Sequence, residues 1–292
     1  MADFIYLLIY KFVKFIAFLP FGDKIFKFIA FCFFKFDFKH TRIMRVNLGF
    51  CFPNLNDFEA YKIIAQTYEN FAFFASEFFK NQSLDKEQIL KKANLINEDY
   101  LLDALNSGRP IIVQTAHYGN WEFFSLAMAA KFGKVSIIGR NLDSKVMDKI
   151  LSEQRRKFDI ELIPKKGSAK QILSALNSKR RLGVLVDQNA GNDGIECQFF
   201  GKKISHTPAV SIFAKKTNAL IIPAFARRND KNPNLIDIIF FEPIDVNLLG
   251  DDAIKIATQM QSDATQKIIS QKPDEYFWMH KKFKHFYEEI YL

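Results

Sequence analysis

Residues 108–122 read GRPIIVQTAHYGNWE, and the fold turns on this stretch. Gly108-Arg109-Pro110 interrupts any helix before it, and Ile111-Ile112-Val113-Gln114 is a short apolar run without alternation. Such a run suits a strand buried on both faces, as in a parallel sheet. Gly119 then permits a tight turn and Asn120 is a good N-cap, which predicts a helix over Asn120–Phe132. A strand that ends in a turn and feeds a helix is the repeating unit of α/β proteins. Their reactive side chains gather at the strand ends.

The alternation continues toward the C-terminus. Strands are expected at Val135–Gly139, Ile160–Ile163, Leu182–Val186, Leu220–Ala226 and Ile236–Phe241, with helices at Asp143–Phe158, Ala169–Ser178, Pro208–Lys216 and Asp252–Ser270. Toward the N-terminus, residues 58–80 carry Ile63, Ile64, Phe71, Phe74, Phe78 and Phe79 in helical spacing, and shorter helices are expected at Gln88–Lys92 and Asn97–Asn106. This predicts an α/β fold with a mainly parallel central sheet flanked by helices. No repeat and no linker rich in Gly, Pro or Ser divides it. One catalytic domain over residues 39–292 behind an N-terminal anchoring segment, 1–38, is the simplest division.

Twelve of the 33 Phe fall within those first 38 residues. Residues 4–19, FIYLLIYKFVKFIAFL, end at Pro20-Phe21-Gly22-Asp23, and a second apolar stretch runs from Ile25 to Phe34. Asp3 precedes the first stretch and no small-residue cleavage site follows it, so it does not read as a secretory signal. Lys11 and Lys14 share one helical face while Phe, Leu and Ile fill the rest. Such a helix lies in the headgroup layer, spans with its lysines snorkelling, or is buried in the protein's own core. Phe-rich surface this dense would otherwise aggregate, which favours membrane contact.

Across all 292 residues, 49% are hydrophobic and 25% charged, which excludes a disordered or collagen-like chain. The net charge of +9 suits nucleic acid, anionic lipid or an acidic protein, and charge alone does not choose. Cys32, Cys51 and Cys197 are scattered and unspaced for a metal, as expected of reduced thiols.

Within the opening stretch, His117 and Glu122 carry the chemistry. On an ideal helix, residues five apart differ by about 140° in azimuth, so one face cannot present both. With His117 in the loop and Glu122 in the first helical turn, the two converge. Glu122 then accepts from one imidazole nitrogen and the other nitrogen serves as general base toward a substrate hydroxyl. The helix N-terminus adds backbone N–H groups for an oxyanion or phosphate. The motif holds no Ser or Cys, which favours direct attack by a bound acceptor hydroxyl over a covalent acyl-enzyme. A zinc-protease reading fails because it needs two His at i and i+4. A strand-end His that merely caps a loop is the plain alternative.

His-x4-Glu after a buried strand resembles the late lipid A acyltransferases, a branch of the glycerolipid acyltransferase superfamily, most of which carries His-x4-Asp. The resemblance spans nearly the whole chain. It includes Arg42-Ile43-Met44-Arg45-Val46-Asn47-Leu48 with Cys51-Phe52-Pro53, Asp187-Gln188, Phe199-Phe200-Gly201, Thr207-Pro208, and Trp278-Met279-His280-Lys281-Lys282-Phe283-Lys284. It implies an inner-membrane enzyme whose active site faces the cytoplasm. Without metal or cofactor, such an enzyme moves an acyl chain from acyl carrier protein to a hydroxyl on a hydroxyacyl chain of a lipid A precursor.

The resemblance implies that His117 deprotonates the acceptor and that Glu122 orients it. Arg155, or its neighbour Arg156, stabilises the oxyanion or holds a phosphate. Gly119, Asn120 and Gln188 join the expected substrate contacts. Arg140, at a strand end, is a further phosphate or carboxylate candidate. Asp187 orients the loop 189–196, bonds the substrate sugar, or simply caps its strand. Lys281, Lys282 and Lys284 are expected to form a surface patch for anionic headgroups, with His280 and His285 structural or interfacial. The positive charge fits acidic acyl carrier protein, an anionic acceptor and membrane lipids; no nucleic-acid module is recognisable. An acyltransferase acting on another glycolipid or an aminolipid, and a non-catalytic lipid-binding membrane protein, are the alternatives.

Overall fold

The computed structural model describes residues 2–139 and 144–292. Four helices lead: α1 (Ala2–Ala17), α2 (Gly22–Phe36), α3 (Phe38–Cys51) and α4 (Asp57–Asn81). They are followed by α5 (Lys86–Lys92), β1 (Ala93–Ile96), α6 (Asp99–Asn106), β2 (Ile111–Thr115) and α7 (Trp121–Phe132). Next come β3 (Val135–Gly139), α8 (Lys145–Lys157), β4 (Ile160–Pro164), α9 (Ala169–Asn177) and β5 (Arg181–Leu185). After β6 (Ile195–Phe199) and β7 (Lys202–His206), the chain closes with α10 (Ala209–Thr217), β8 (Leu220–Arg228), β9 (Ile236–Phe240) and α11 (Ala253–Gln271).

Seven strands form one sheet in the order β1-β9-β8-β2-β5-β3-β4, with every pair parallel except β8–β9. β2 lies near its centre, between β8 and β5, which is why residues 111–114 carry no polar alternation. Ile111 and Val113 pack into the cluster with α7, while Ile112 packs on the other face with Ile172 of α9 and Val210 of α10. The expected α/β architecture with a mainly parallel sheet is therefore present.

Among the strands, two features were not anticipated, and α3 was not either. β1 has only four residues and gains its identity by pairing with β9, Ala93 opposite Ile236. β6 and β7 form a separate antiparallel hairpin turned by Phe200 (φ 50°) and Gly201 (φ 70°). Two successive positive φ values suit the right-handed twist of a two-residue hairpin.

The chain bends by 119° between α1 and α2. At about 1.5 Å per residue, each is roughly 23 Å long, short of an apolar layer of about 30 Å. Among the described residues, no single helix is long and apolar enough to cross a membrane. The inner faces are docked on the domain: Ala17, Phe26, Ala30 and Phe34 share a core with Ile64, Tyr68 and Ala72 of α4. Asp23 accepts from Ser76 (2.6 Å) and Lys80 (2.7 Å), and Asp3 of α1 accepts from Ser144 beside α8 (2.8 Å). Phe4, Phe12, Phe15, Phe28 and Phe33 on the outer faces are exposed. Residue 38 thus marks a change in surface, not a break in packing.

Candidate active site

The loop after β2 is pinned on two sides. Gly119 has φ +55°, and a Cβ there would stand 1.9 Å from the Ala226 carbonyl oxygen. Its N–H donates to the Glu275 carbonyl (2.8 Å), the Asn120 N–H to that of Ala226 (3.1 Å), and the Phe277 N–H to that of His117 (2.9 Å). Asn120 caps α7, its Oδ1 accepting from the Phe123 N–H (3.0 Å), as the sequence suggested. Gly119 and Asn120 therefore use these groups to hold the turn, while the Asn120 Nδ2 has no partner among the described residues.

This anchoring fixes His117 at the C-terminal end of the sheet. β2 and β5 are parallel neighbours, Thr115 opposite Leu185, so Asp187 stands level with His117. The imidazole Nδ1–H donates to Asp187 Oδ1 (2.9 Å), and the His117 backbone N–H donates to the same oxygen (3.1 Å). A carboxylate accepts only, so Nδ1 carries a proton, and in the neutral imidazole Nε2 keeps its lone pair. The partner expected for His117 was Glu122; the structure puts Asp187 there instead. Glu122, in the first turn of α7, faces α8, and its Oε1 lies 3.7 Å from Arg155 Nη2. Asp187 is buried, with its Oδ1 on His117 and its Oδ2 without a hydrogen-bond partner among the described residues.

Burial alone would push the His117 imidazole down. The Asp187 carboxylate, by charge and hydrogen bond, outweighs it with help from Glu122 and holds the pKa above its ordinary value. Burial likewise opposes ionisation of Asp187, but His117, His280 and Lys282 keep its carboxyl well below the usual range. Trp121 stands edge-on to the imidazole at 5.3 Å, and Phe277 lies 6.0 Å away.

His117, Glu122 and Arg155 border a cavity of about 260 Å³ between the sheet and helices α7 and α8. Its walls include Val113, Val135, Ile137, Phe124, Met128 and Leu151, and it extends to Arg181 at the start of β5. Gly183 pairs with Val113 on one side and Ile137 on the other, so the absence of a side chain there deepens the floor.

A sequence model of the bacterial lipid A biosynthesis acyltransferases matches residues 1–285. The chain belongs to that family. The lipid A biosynthesis acyltransferase of Haemophilus influenzae is 21% identical over 239 residues, 80% of this chain and 73% of that protein. Phosphatidylinositol mannoside acyltransferases are similar over 55% of this chain: that of Mycolicibacterium smegmatis is 20% identical over 165 residues, and that of Mycobacterium tuberculosis 19% over 167. The chain spans about half the length of these two mycobacterial relatives.

In this member of the family, Arg155 rather than Arg156 borders the cavity. Arg155 Nε is buried without a partner among the described residues, whereas Arg156 is exposed in an outer groove with Asp159 and Arg180. Gln188 is exposed, and Arg140 lies outside the described residues.

The C-terminal signature folds back under the site. Asn47 of α3 donates to the carbonyls of Trp278 (2.7 Å) and His280 (2.9 Å), which joins two segments far apart in sequence. Lys281 and Lys284 are exposed, but Lys282 is buried and donates to the Asp187 carbonyl at 2.6 Å. That corrects its expected place in a surface patch. The fully buried Trp278 and Phe283 flank it and carry it inward. Only the basic-aromatic alternation of residues 278–284 hinted at this in the sequence.

Proposed function

We propose that this protein transfers a fatty acyl chain from a carrier-bound thioester to a hydroxyl of a glycolipid, with His117 as general base. The observation that carries this reading is a single imidazole, oriented by a buried carboxylate, at the border of a largely apolar cavity. The acceptor O–H gives its proton to Nε2 while its oxygen attacks the thioester carbonyl carbon. The C=O electrons move onto oxygen, and Arg155, held by Glu122, stabilises that oxyanion. The intermediate collapses, the C–S bond breaks, and the leaving thiolate takes the proton back from His117. The alkyl chain lies in the cavity, where apolar contact holds it.

Family membership and the order of motifs favour acyl carrier protein as donor and a lipid A precursor as acceptor. Both are acidic, which suits the +9 charge of the chain. The exposed Phe of α1 and α2, with Lys11, Lys24, Lys27 and Lys35 exposed among them, fit an anionic bilayer surface. The reading therefore puts the protein at the inner membrane, α1 and α2 in the interface and the site on the cytoplasmic side.

The test is transfer from a panel of acyl carrier protein thioesters to a tetra-acylated lipid A precursor bearing its sugar acids, with the product read by mass spectrometry. A gain of one acyl mass that disappears in His117→Ala supports the reading. A folded His117→Ala variant of near-normal rate sinks it. Similarity to the mycobacterial relatives favours a second acceptor, a mannosylated phosphatidylinositol, which belongs in the same panel.

A further inference from the structure

Lys282 is the only lysine or arginine among the described residues that is buried, at 3% exposure. Its ammonium donates to the main-chain carbonyl of Asp187 at 2.6 Å and stands 4.3 Å from the centre of the Phe199 ring. Among the described residues no carboxylate lies within ion-pair distance of it. A buried cation without a salt bridge is costly, and a methionine of similar shape would avoid that cost. The position therefore asks what the charge does.

The groups around it narrow the answer. From α3 and β6 come the thiols of Cys51 and Cys197, which burial keeps protonated and neutral. From β7 comes His206, and from the C-terminal segment His280, both pushed by burial to about 4 and so neutral. Burial lowers Lys282 itself to about 8, which leaves it charged at pH 7. The buried Tyr276 phenol also faces Asp187, and burial keeps it protonated, so Asp187 is the one anion of this buried cluster. The imidazole of His117, on the far side of Asp187, also faces Glu122 from α7 and Lys165 from the segment after β4, and Glu122 in turn faces Arg155.

We propose that Lys282 is a positioning residue for the His117 base: it clamps the main chain of Asp187 and offsets the charge of that carboxylate. The inference rests on the acyl-transfer reading above. Asp187 is needed to aim the imidazole, yet its charge in apolar surroundings favours an imidazolium, and an imidazolium cannot take the acceptor's proton. A fixed positive charge behind the carboxylate keeps the orientation and weakens the penalty.

Two variants separate clamp from charge. Lys282→Gln keeps a donor for the Asp187 carbonyl and removes the charge; Lys282→Arg keeps the charge. The measurements are the NMR titration of the His117 imidazole in the full-length protein without substrate, assigned by its loss in His117→Gln, and the pH profile of kcat/KM. In Lys282→Gln the titration and the acid limb are expected to move to higher pH by about one unit, with Lys282→Arg close to wild type. A folded Gln variant with an unmoved titration overturns the proposal. So does a Gln variant that fails to fold beside a folded Arg variant, because the charge is then structural. The titration needs no turnover, so a shift in a protein that transfers no acyl chain strikes the reaction assignment and leaves the electrostatic role of Lys282 intact.

Discussion

At the residue scale, the chemistry depends on which carboxylate holds His117. Asp187 raises the imidazole pKa above its ordinary value, and in the proposed role His117 serves as base only when unprotonated. The kcat/KM is therefore expected to fall as pH drops through that raised pKa and to level off above it; a profile flat from pH 5 to 8 would contradict His117 as base. Stability runs the other way. The imidazolium–Asp187 pair stabilises the fold fully from pH 6.5 down to about 4; the contribution is lost as pH rises through the raised imidazole value, and again as pH falls toward the depressed carboxyl value. Asp187→Asn keeps the shape but loses the charge and presents Nδ1 with an ambiguous partner, so kcat is expected to fall by about 10²–10⁴. Glu122 and Arg155 form one unit at 3.7 Å. Their alanine variants are expected to be non-additive in a double-mutant cycle of kcat/KM, and strict additivity would separate them.

His117 and Glu122 were legible in the sequence because eight consecutive residues spell a strand end, a tight turn and a helix cap. The Asp187 contact was not. It joins residues 70 apart and exists only because β5 was chosen as the neighbour of β2.

At the element scale, the turn and the cavity floor each depend on a glycine. Gly119→Ala forces a Cβ onto the Ala226 carbonyl at a positive φ. It is expected to lower the Tm, with a cost of about 1–3 kcal/mol from the backbone conformation alone. Gly183 differs: a Cβ there meets only the Ile137 Cγ2 at 3.4 Å and the Ser136 carbonyl oxygen at 3.8 Å. Gly183→Ala is therefore expected to keep the Tm and shift the preferred donor toward shorter chains, read by competition among acyl thioesters of different length.

Helix and strand boundaries around the parallel sheet were legible to within a few residues, because buried parallel strands must be apolar runs and their helices must be capped. β1 and the β6–β7 hairpin escaped this reading. A four-residue strand has too few positions to show a period, and the hairpin signal is one Phe-Gly pair.

At the scale of the whole molecule, α1 and α2 together present a dense run of exposed Phe, Ile and Leu side chains. Moving one such Phe into an apolar layer contributes about 1.5–3 kcal/mol. The double variant Phe12→Ser with Phe33→Ser is then expected to weaken sedimentation with anionic lipid vesicles by about 10²–10⁴, with an unchanged Tm because both rings are exposed. Unchanged vesicle binding would remove these faces from the membrane contact.

The amino-acid sequence by itself determined the parallel α/β sheet and the strand end that carries His117. Both are written in neighbouring residues, through periodicity, turn chemistry and capping, whereas the arginine pair on the helix after the next strand was pointed out only by the family resemblance. Only the tertiary structure decided that Asp187 holds the imidazole, that Glu122 turns to Arg155, that Arg155 borders the cavity, and that Lys282 lies buried beneath them. Those outcomes depend on strand order and on where the C-terminal segment folds back. Both are fixed by long-range burial of apolar side chains such as Trp278 and Phe283, and no local pattern encodes them.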